Sequence, residues 1–214
     1  MSEKTEEAQA HAVQCLTTEH FTLQTARSAA IMESNGRASL FLSTVSSAFV
    51  AMAFIGQMSE LGEAFFAFCL VLFPTLYFLG VATFVRVLQT GIEDMIYARG
   101  INRIRHFYTE VAPEIKKYLM LSVHDDMAGA LKSVGITPSH FQTVLTSSGM
   151  IAVINSVLAG VCIGILLNGT LRVKLWLAVI AAVVAFLISS VVHYRYQARK
   201  WAEVEANSEV LFPS

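Results

Sequence analysis

The sequence predicts an all-α, polytopic membrane protein with four transmembrane helices and helical cytoplasmic extensions. Three observations predict it. The 214 residues are 55% hydrophobic and only 14% charged, where soluble domains carry about 25% charged residues. The mean hydropathy is +0.57. Four stretches, 38–55, 64–85, 150–167 and 175–192, contain no Asp, Glu, Lys or Arg. Each has about 18–22 residues, or roughly 27–33 Å of helix, which matches the hydrocarbon core of a bilayer. Too little polar sequence remains to enclose four such helices in a soluble core. A backbone in lipid must satisfy its own hydrogen bonds, so these spans are helices. With 15 Lys and Arg against 16 Asp and Glu, the chain has no bulk basic field for phosphates, and no nucleic-acid partner is expected.

These spans divide the chain into an N-terminal cytoplasmic helix (1–36), a first transmembrane pair (37–89), a cytoplasmic helical segment (90–146), a second transmembrane pair (147–194) and a cytoplasmic tail (195–214). Residues 3–34 contain no Pro or Gly, and Val13, Leu16, Leu23 and Ile31 recur at near-helical spacing. Asn35-Gly36 reads as a stop of the C-cap kind, predicting a hinge before the first span. A short outer loop, 56–63, separates the first two spans. Beyond the second span the helical pattern continues through Ile92, Ile96, Ile101, Ile104, Tyr108 and Val111, with no proline until Pro113. One helix over 64–111 follows, with Pro74 a candidate kink and Gly91 and Gly100 weak points. A short helix is expected after Pro113, ending near Gly135. Thr137 then reads as an N-cap and Pro138 as the first residue of a helix running into the third span. The stretch 194–207 extends the fourth helix.

Orientation follows from the basic residues. Lys4, Arg27 and Arg37 precede the first span. Arg86, Arg99, Arg103, Arg105, Lys116, Lys117 and Lys132 lie in the middle segment, and Arg195, Arg199 and Lys200 in the tail. The first outer loop holds Glu60 and Glu63 and no basic residue, while Arg172 and Lys174 in the second run against the trend. The positive-inside rule places both termini and the middle segment in the cytoplasm, and a bacterial inner membrane is the expected location. No cleavable signal peptide, myristoylation glycine or CaaX box is expected. Cys15, Cys69 and Cys162 are odd in number and form no CxxC, so neither a disulfide framework nor a zinc site is indicated.

The first span is rich in hydroxyls. Ser39, Ser43 and Ser46 or Ser47 share a helix face that continues to Val50 and Phe54. Such a face suits a hydroxyl-lined pore with an apolar constriction, or close helix packing with hydroxyls bonded to i−4 carbonyls. The third span carries Ser156, Gly160 and Gly164, a small-residue seam for close approach. The fourth offers a matching seam at Ala181, Ala185 and Ser189, and self-association is the alternative use. Asn155 is the amide well inside a span, either functional or an interhelical clamp. In the middle segment His124, Asp125 and Asp126 form a compact cluster, with His106 and His140 on neighbouring elements. Imidazole and carboxylate suit a metal, but the spacing matches no metal motif, and a solvated or capping role is expected, with Ser122 and Asp125 in a loose capping arrangement. The cluster around Arg99, Arg103 and Arg105 suits anionic headgroups, or simply obeys the orientation rule. No catalytic motif is present, so neither catalytic residues nor a cofactor is expected.

The segment from Arg37 to Gln57 reads RASLFLSTVSSAFVAMAFIGQ. It resembles the first span of Orai-type calcium channels in its basic residue, its serines at spacing four and its VAM run. The four spans and the continuation of the fourth as VVHYRYQARKW match in topology. The acidic residue which that family places after the VAM run is absent, with Ala53 and Phe54 standing there, so calcium selectivity is not carried over. An N-terminal helix, a membrane pair and a cytoplasmic helix are also similar in architecture to SLATT-type bacterial effector domains, which are proposed pore formers. Both resemblances imply an oligomeric pore. The expectation is a homo-oligomeric channel for small ions, gated by its cytoplasmic helices and surrounded by the lipid bilayer. The alternatives are a non-conducting scaffold or sensor that recruits a cytoplasmic partner, and a metal-dependent membrane enzyme.

Overall fold

A computed structural model describes residues 3–135 and 145–214, and the described residues form no strand. The fold is all-α. In chain order it comprises α1 (Glu3–Met58), α2 (Glu63–Val111), a 3-10 turn (Pro113–Tyr118), α3 (Met127–Ser133), α4 (Ser147–Ile165), continued by a π turn (Leu166–Thr170), and α5 (Leu175–Asn207). Helices α1, α2, α4 with its π turn, and α5 are long and apolar enough to cross a membrane. Only 11% to 28% of each apolar window is buried within the protein. Helices of a soluble core would be covered, so lipid is the medium these surfaces require. The chain is a multi-pass membrane protein with a transmembrane helical bundle.

The chain forms two compact units. The first comprises 1–33, 89–139 and 201–214, and the second comprises 34–88 and 140–200. The core of the second unit contains Phe41, Val45 and Ala48 of α1, Cys69, Phe73, Leu76 and Phe84 of α2, Ile151 and Leu158 of α4, and Ala178 of α5. In the first unit Arg27 of α1 pairs with Asp94 of α2, Nε to Oδ1 at 2.6 Å.

Several element boundaries differ from expectation. Helix α1 runs unbroken through Asn35 and Gly36. A C-cap glycine turns left-handed, but among the described residues Gly135, at φ 70°, is the glycine with positive φ. A mid-helix glycine costs only about 1 kcal/mol relative to alanine, and long helical flanks absorb that. Helix α2 is continuous, with Pro74 inside it. A Cβ at Gly100 would lie 3.1 Å from Leu23 Cδ1, so α2 approaches α1 closely at this glycine. The first outer loop is shorter than 56–63, because α1 persists to Met58 and the turn closes through left-handed Glu60 and Leu61 at φ 50° and 56°.

The short helix expected after Pro113 is instead two pieces. The 3-10 turn opens at Pro113, the chain then extends, and α3 starts after its N-cap Asp126, whose Oδ1 accepts from the Gly129 N–H at 2.8 Å. The interruption has a cause: the Asp125 N–H donates to the Phe212 carbonyl at 3.1 Å, a pairing a helix at this point would forfeit. Thr137, Pro138 and His140 lie outside the described residues. The third span begins afresh at Thr146, which is extended (φ −64°, ψ 156°) and caps α4 by accepting from the Gly149 N–H, so no single helix runs through this residue into the span. Helix α5 ends at Asn207, as the sequence pattern predicts.

Candidate functional site

At 100° per residue, Ser39, Ser43, Ser46, Ser47, Val50 and Phe54 occupy an arc of about 100° on α1. All six are exposed, Phe54 by 62%. The buried face of the same helix, with Phe41, Val45, Ala48 and Gly56, lies about 180° away. The hydroxyl face is therefore not a packing seam within this chain, which corrects that reading. The i−4 bond belongs to Thr44, off the stripe, whose Oγ1 donates to the Leu40 carbonyl at 2.8 Å.

The seam on α4 does pack inside the chain. A Cβ at Gly160 would sit 2.7 Å from the Ala182 carbonyl oxygen, and one at Gly164 would sit 3.4 Å from the Ala182 Cβ. The residues facing these glycines are thus Ala178, Ala182 and Phe186, with Ala182 in place of the expected Ala181. At the same interface Ser156, fully buried, donates to the Ala152 carbonyl at 2.7 Å, and its Oγ lies 3.1 Å from Ser189 Oγ.

Asn155 is 0% exposed and is an interhelical clamp. Its Nδ2 lies 3.3 Å from Nε2 of His193, and His193 Nδ1 lies 2.8 Å from the Ser189 carbonyl oxygen. A carbonyl only accepts, so Nδ1 carries the proton, and Nε2 accepts from the amide. Phe84 of α2 meets His193 edge to face, with centroids 4.8 Å apart. The Asn155 Oδ1 is buried without a partner and rests against Gly80 of α2, where any Cβ would overlap it. Sequence reasoning found Asn155, Ser156 and Ser189 but passed over His193 and Gly80. The four-residue spacing Ser189, His193, Gln197, all buried, was the available signal for His193.

In the first unit the HDD cluster is divided. Asp125, expected to be solvated or in a capping arrangement with Ser122, is 0% exposed. It accepts from Arg103 Nε at 2.5 Å, the Leu211 N–H at 3.1 Å and the Phe212 N–H at 2.8 Å. Ser122 Oγ instead accepts from the His124 N–H. Burial alone pushes the Asp125 carboxyl up, but the Phe212 N–H, Arg103 and the Leu211 N–H together hold it below the usual carboxylate range. Asp126 is the N-cap already described and also accepts from the N–H and Oγ of Ser214. The lone pairs a metal needs on these carboxylates are thus largely engaged. Among the described residues no group of three or more His, Cys, Asp or Glu is placed to hold a metal ion. Arg99 and Arg103 serve this cluster: Arg99 Nε donates to the Asp125 carbonyl and Nη1 to Glu205 of α5, at 2.6 and 2.9 Å. Arg105 Nη1 instead donates to Asn102 Oδ1 at 3.1 Å.

No protein family, no curated protein and no solved structure matches the chain.

Proposed function

We propose that the chain is a homo-oligomeric membrane channel or pore for small ions whose first span lines the conduction path. One observation carries this reading: the serine-bearing face of α1 points away from the protein's own core, on a span that otherwise suits lipid. Leaving a hydroxyl in an apolar medium costs about 1–3 kcal/mol unless it is bonded, and four on one face make lipid a poor neighbour. Copies of α1 around a water-filled axis remove that cost, and rings of serine hydroxyls then replace part of an ion's hydration. Val50 and Phe54 form the apolar constriction. No charged residue lies on the path, so an uncoupled, passive pore is the reading, with no calcium selectivity implied. The likeness of 37–57 to Orai-type channels and the architectural likeness to SLATT-type domains point the same way.

Both termini lie in the cytoplasm of a bacterial inner membrane in this reading. Four spans return the chain to its starting side, and segments 1–33, 89–139 and 201–214 gather in one unit, which carries most of the Lys and Arg that the positive-inside rule counts. That unit is the proposed gate. The test is ion flux from dye-loaded liposomes containing protein of known oligomeric mass. Ser43→Phe is expected to reduce flux by roughly tenfold or more with the mass unchanged, since an aromatic ring at that level occludes the path. An oligomer silent to cations and anions at every voltage would favour a scaffold that recruits a partner.

A further inference from the structure

Segment 209–214 is held in the first unit as a ligand is held. The Leu211 and Phe212 N–H groups converge on one carboxylate, Asp125, and the Phe212 carbonyl accepts from the Asp125 N–H. Arg103 Nη2 donates to the Glu209 carbonyl. The Phe212 ring stacks on His106 of α2 with centroids 3.7 Å apart and planes 12° from parallel. Pro213 offers no N–H and ends the backbone pairing, and Ser214 bonds Asp126 through both its N–H and its Oγ.

The two sides of this contact are unequal. None of residues 209–214 is buried, while Asp125 is completely buried. The holding side also has bonds that do not involve the segment: Asp125 is bonded by Arg103, its carbonyl by Arg99, and the neighbouring His124 carbonyl by Asn102 Nδ2 at 2.8 Å. It also keeps polar atoms buried without partners, at Arg99 Nη2, His106 Nδ1 and His124 Nδ1. A strand belonging to a core is buried along with its partner, whereas here a segment with Val210 and Phe212 half-buried and the rest exposed sits on a buried carboxylate.

We propose that the Asp125 loop is a peptide-recognition site and that 209–214 is its resident occupant, a releasable clasp tying the segment that follows α5 to α2. The site selects an extended stretch with two consecutive free N–H groups, an aromatic side chain at the second, and proline then serine after it. Its usual occupant is this chain's own segment, favoured by the high effective concentration of a short tether. A partner would displace it with a segment of the same chemistry. The claim does not depend on conduction, because its readout is binding and amide exchange.

The experiment uses the full-length chain and a fluorescent hexapeptide of sequence 209–214. In wild type, the Leu211 and Phe212 amides are expected to exchange roughly tenfold or more slowly than unstructured amides. Phe212→Ala should abolish that protection while α2 and α4 stay protected. The Phe212→Ala chain, its own clasp loosened, should bind the peptide saturably and roughly tenfold more tightly than wild type, whose site is filled. Adding Asp125→Asn should remove the binding. Where that variant loses α2 protection and so has unfolded, Arg103→Gln, at a partly exposed position, replaces it with the same expectation. Unprotected amides in wild type, a folded Phe212→Ala chain that ignores the peptide, or binding indifferent to the Asp125 and Arg103 changes would each overturn the proposal.

Discussion

Asp125 shows what a single residue contributes and how far its role was readable. An acidic pair beside a histidine suggests solvent, capping or metal. Capping is right for Asp126, because an N-cap is a local bond reaching three residues along the chain. Asp125 is buried because its partners, Arg103, Leu211 and Phe212, stand 22 to 87 residues away, and nothing local announces them. Removing Asp125 leaves the Leu211 and Phe212 N–H groups and the partly exposed Arg103 without their acceptor, so Asp125→Ala should destabilise the first unit by about 1–3 kcal/mol. The carboxyl is held below its unfolded value. Its stabilisation is therefore complete above the unfolded carboxylate pKa of about 3.9 and lost as pH falls through the lower folded value. Thermal unfolding followed by Trp201 fluorescence, in a Trp176→Phe background, should show a midpoint steady above about pH 5 that falls below about pH 4. The Asp125→Ala chain should show a weaker acid dependence, the remainder coming from Asp126, whose carboxyl Ser214 and the Gly129 N–H also hold low.

Helices were more legible than the joints between them. The extent of α2 and the end of α5 follow from periodicity and the position of proline, because long apolar or amphipathic runs leave the backbone few options. The absent break at Gly36 reflects the long helical flanks that absorb a glycine's small cost, and the split after Pro113 depends on a distant backbone partner, Phe212. The small-residue seam on α4 was visible as Ser156, Gly160 and Gly164, and Ser189 of the expected α5 seam meets it, but Ala182 and Ala178 stand opposite the glycines in place of Ala181 and Ala185, because helix rotation is set by the fit of side chains across the interface. Close approach also governs α2 against α4, where Gly80 leaves room for the Asn155 amide. Gly80→Ala is expected to lower the thermal stability of the bundle by an amount typical of core overpacking, about 1–3 kcal/mol. Asn155→Ala in the same chain should recover part of that loss, because it removes the overlapping atom. Additive losses in the double variant would mean that Gly80 matters for another reason.

For the molecule as a whole, charge-free length alone identified the four spans, since crossing a bilayer is a constraint that composition records directly. The direction in which the first span's serines point was not readable, because a hydroxyl stripe suits packing and pore lining equally. The structure excludes packing within the chain: Phe41, Val45 and Ala48 are buried, while Ser39, Ser43, Ser46 and Ser47 face outward. The central claim is that this outward face meets water in the assembled membrane protein. Reaction of single cysteines with a membrane-impermeant thiol reagent tests it, in a background with Cys15, Cys69 and Cys162 replaced. Ser43→Cys and Ser47→Cys should react while Val45→Cys stays protected. Protection at both serine positions, with full reaction toward a lipid-soluble reagent, would place that face in lipid and contradict the pore.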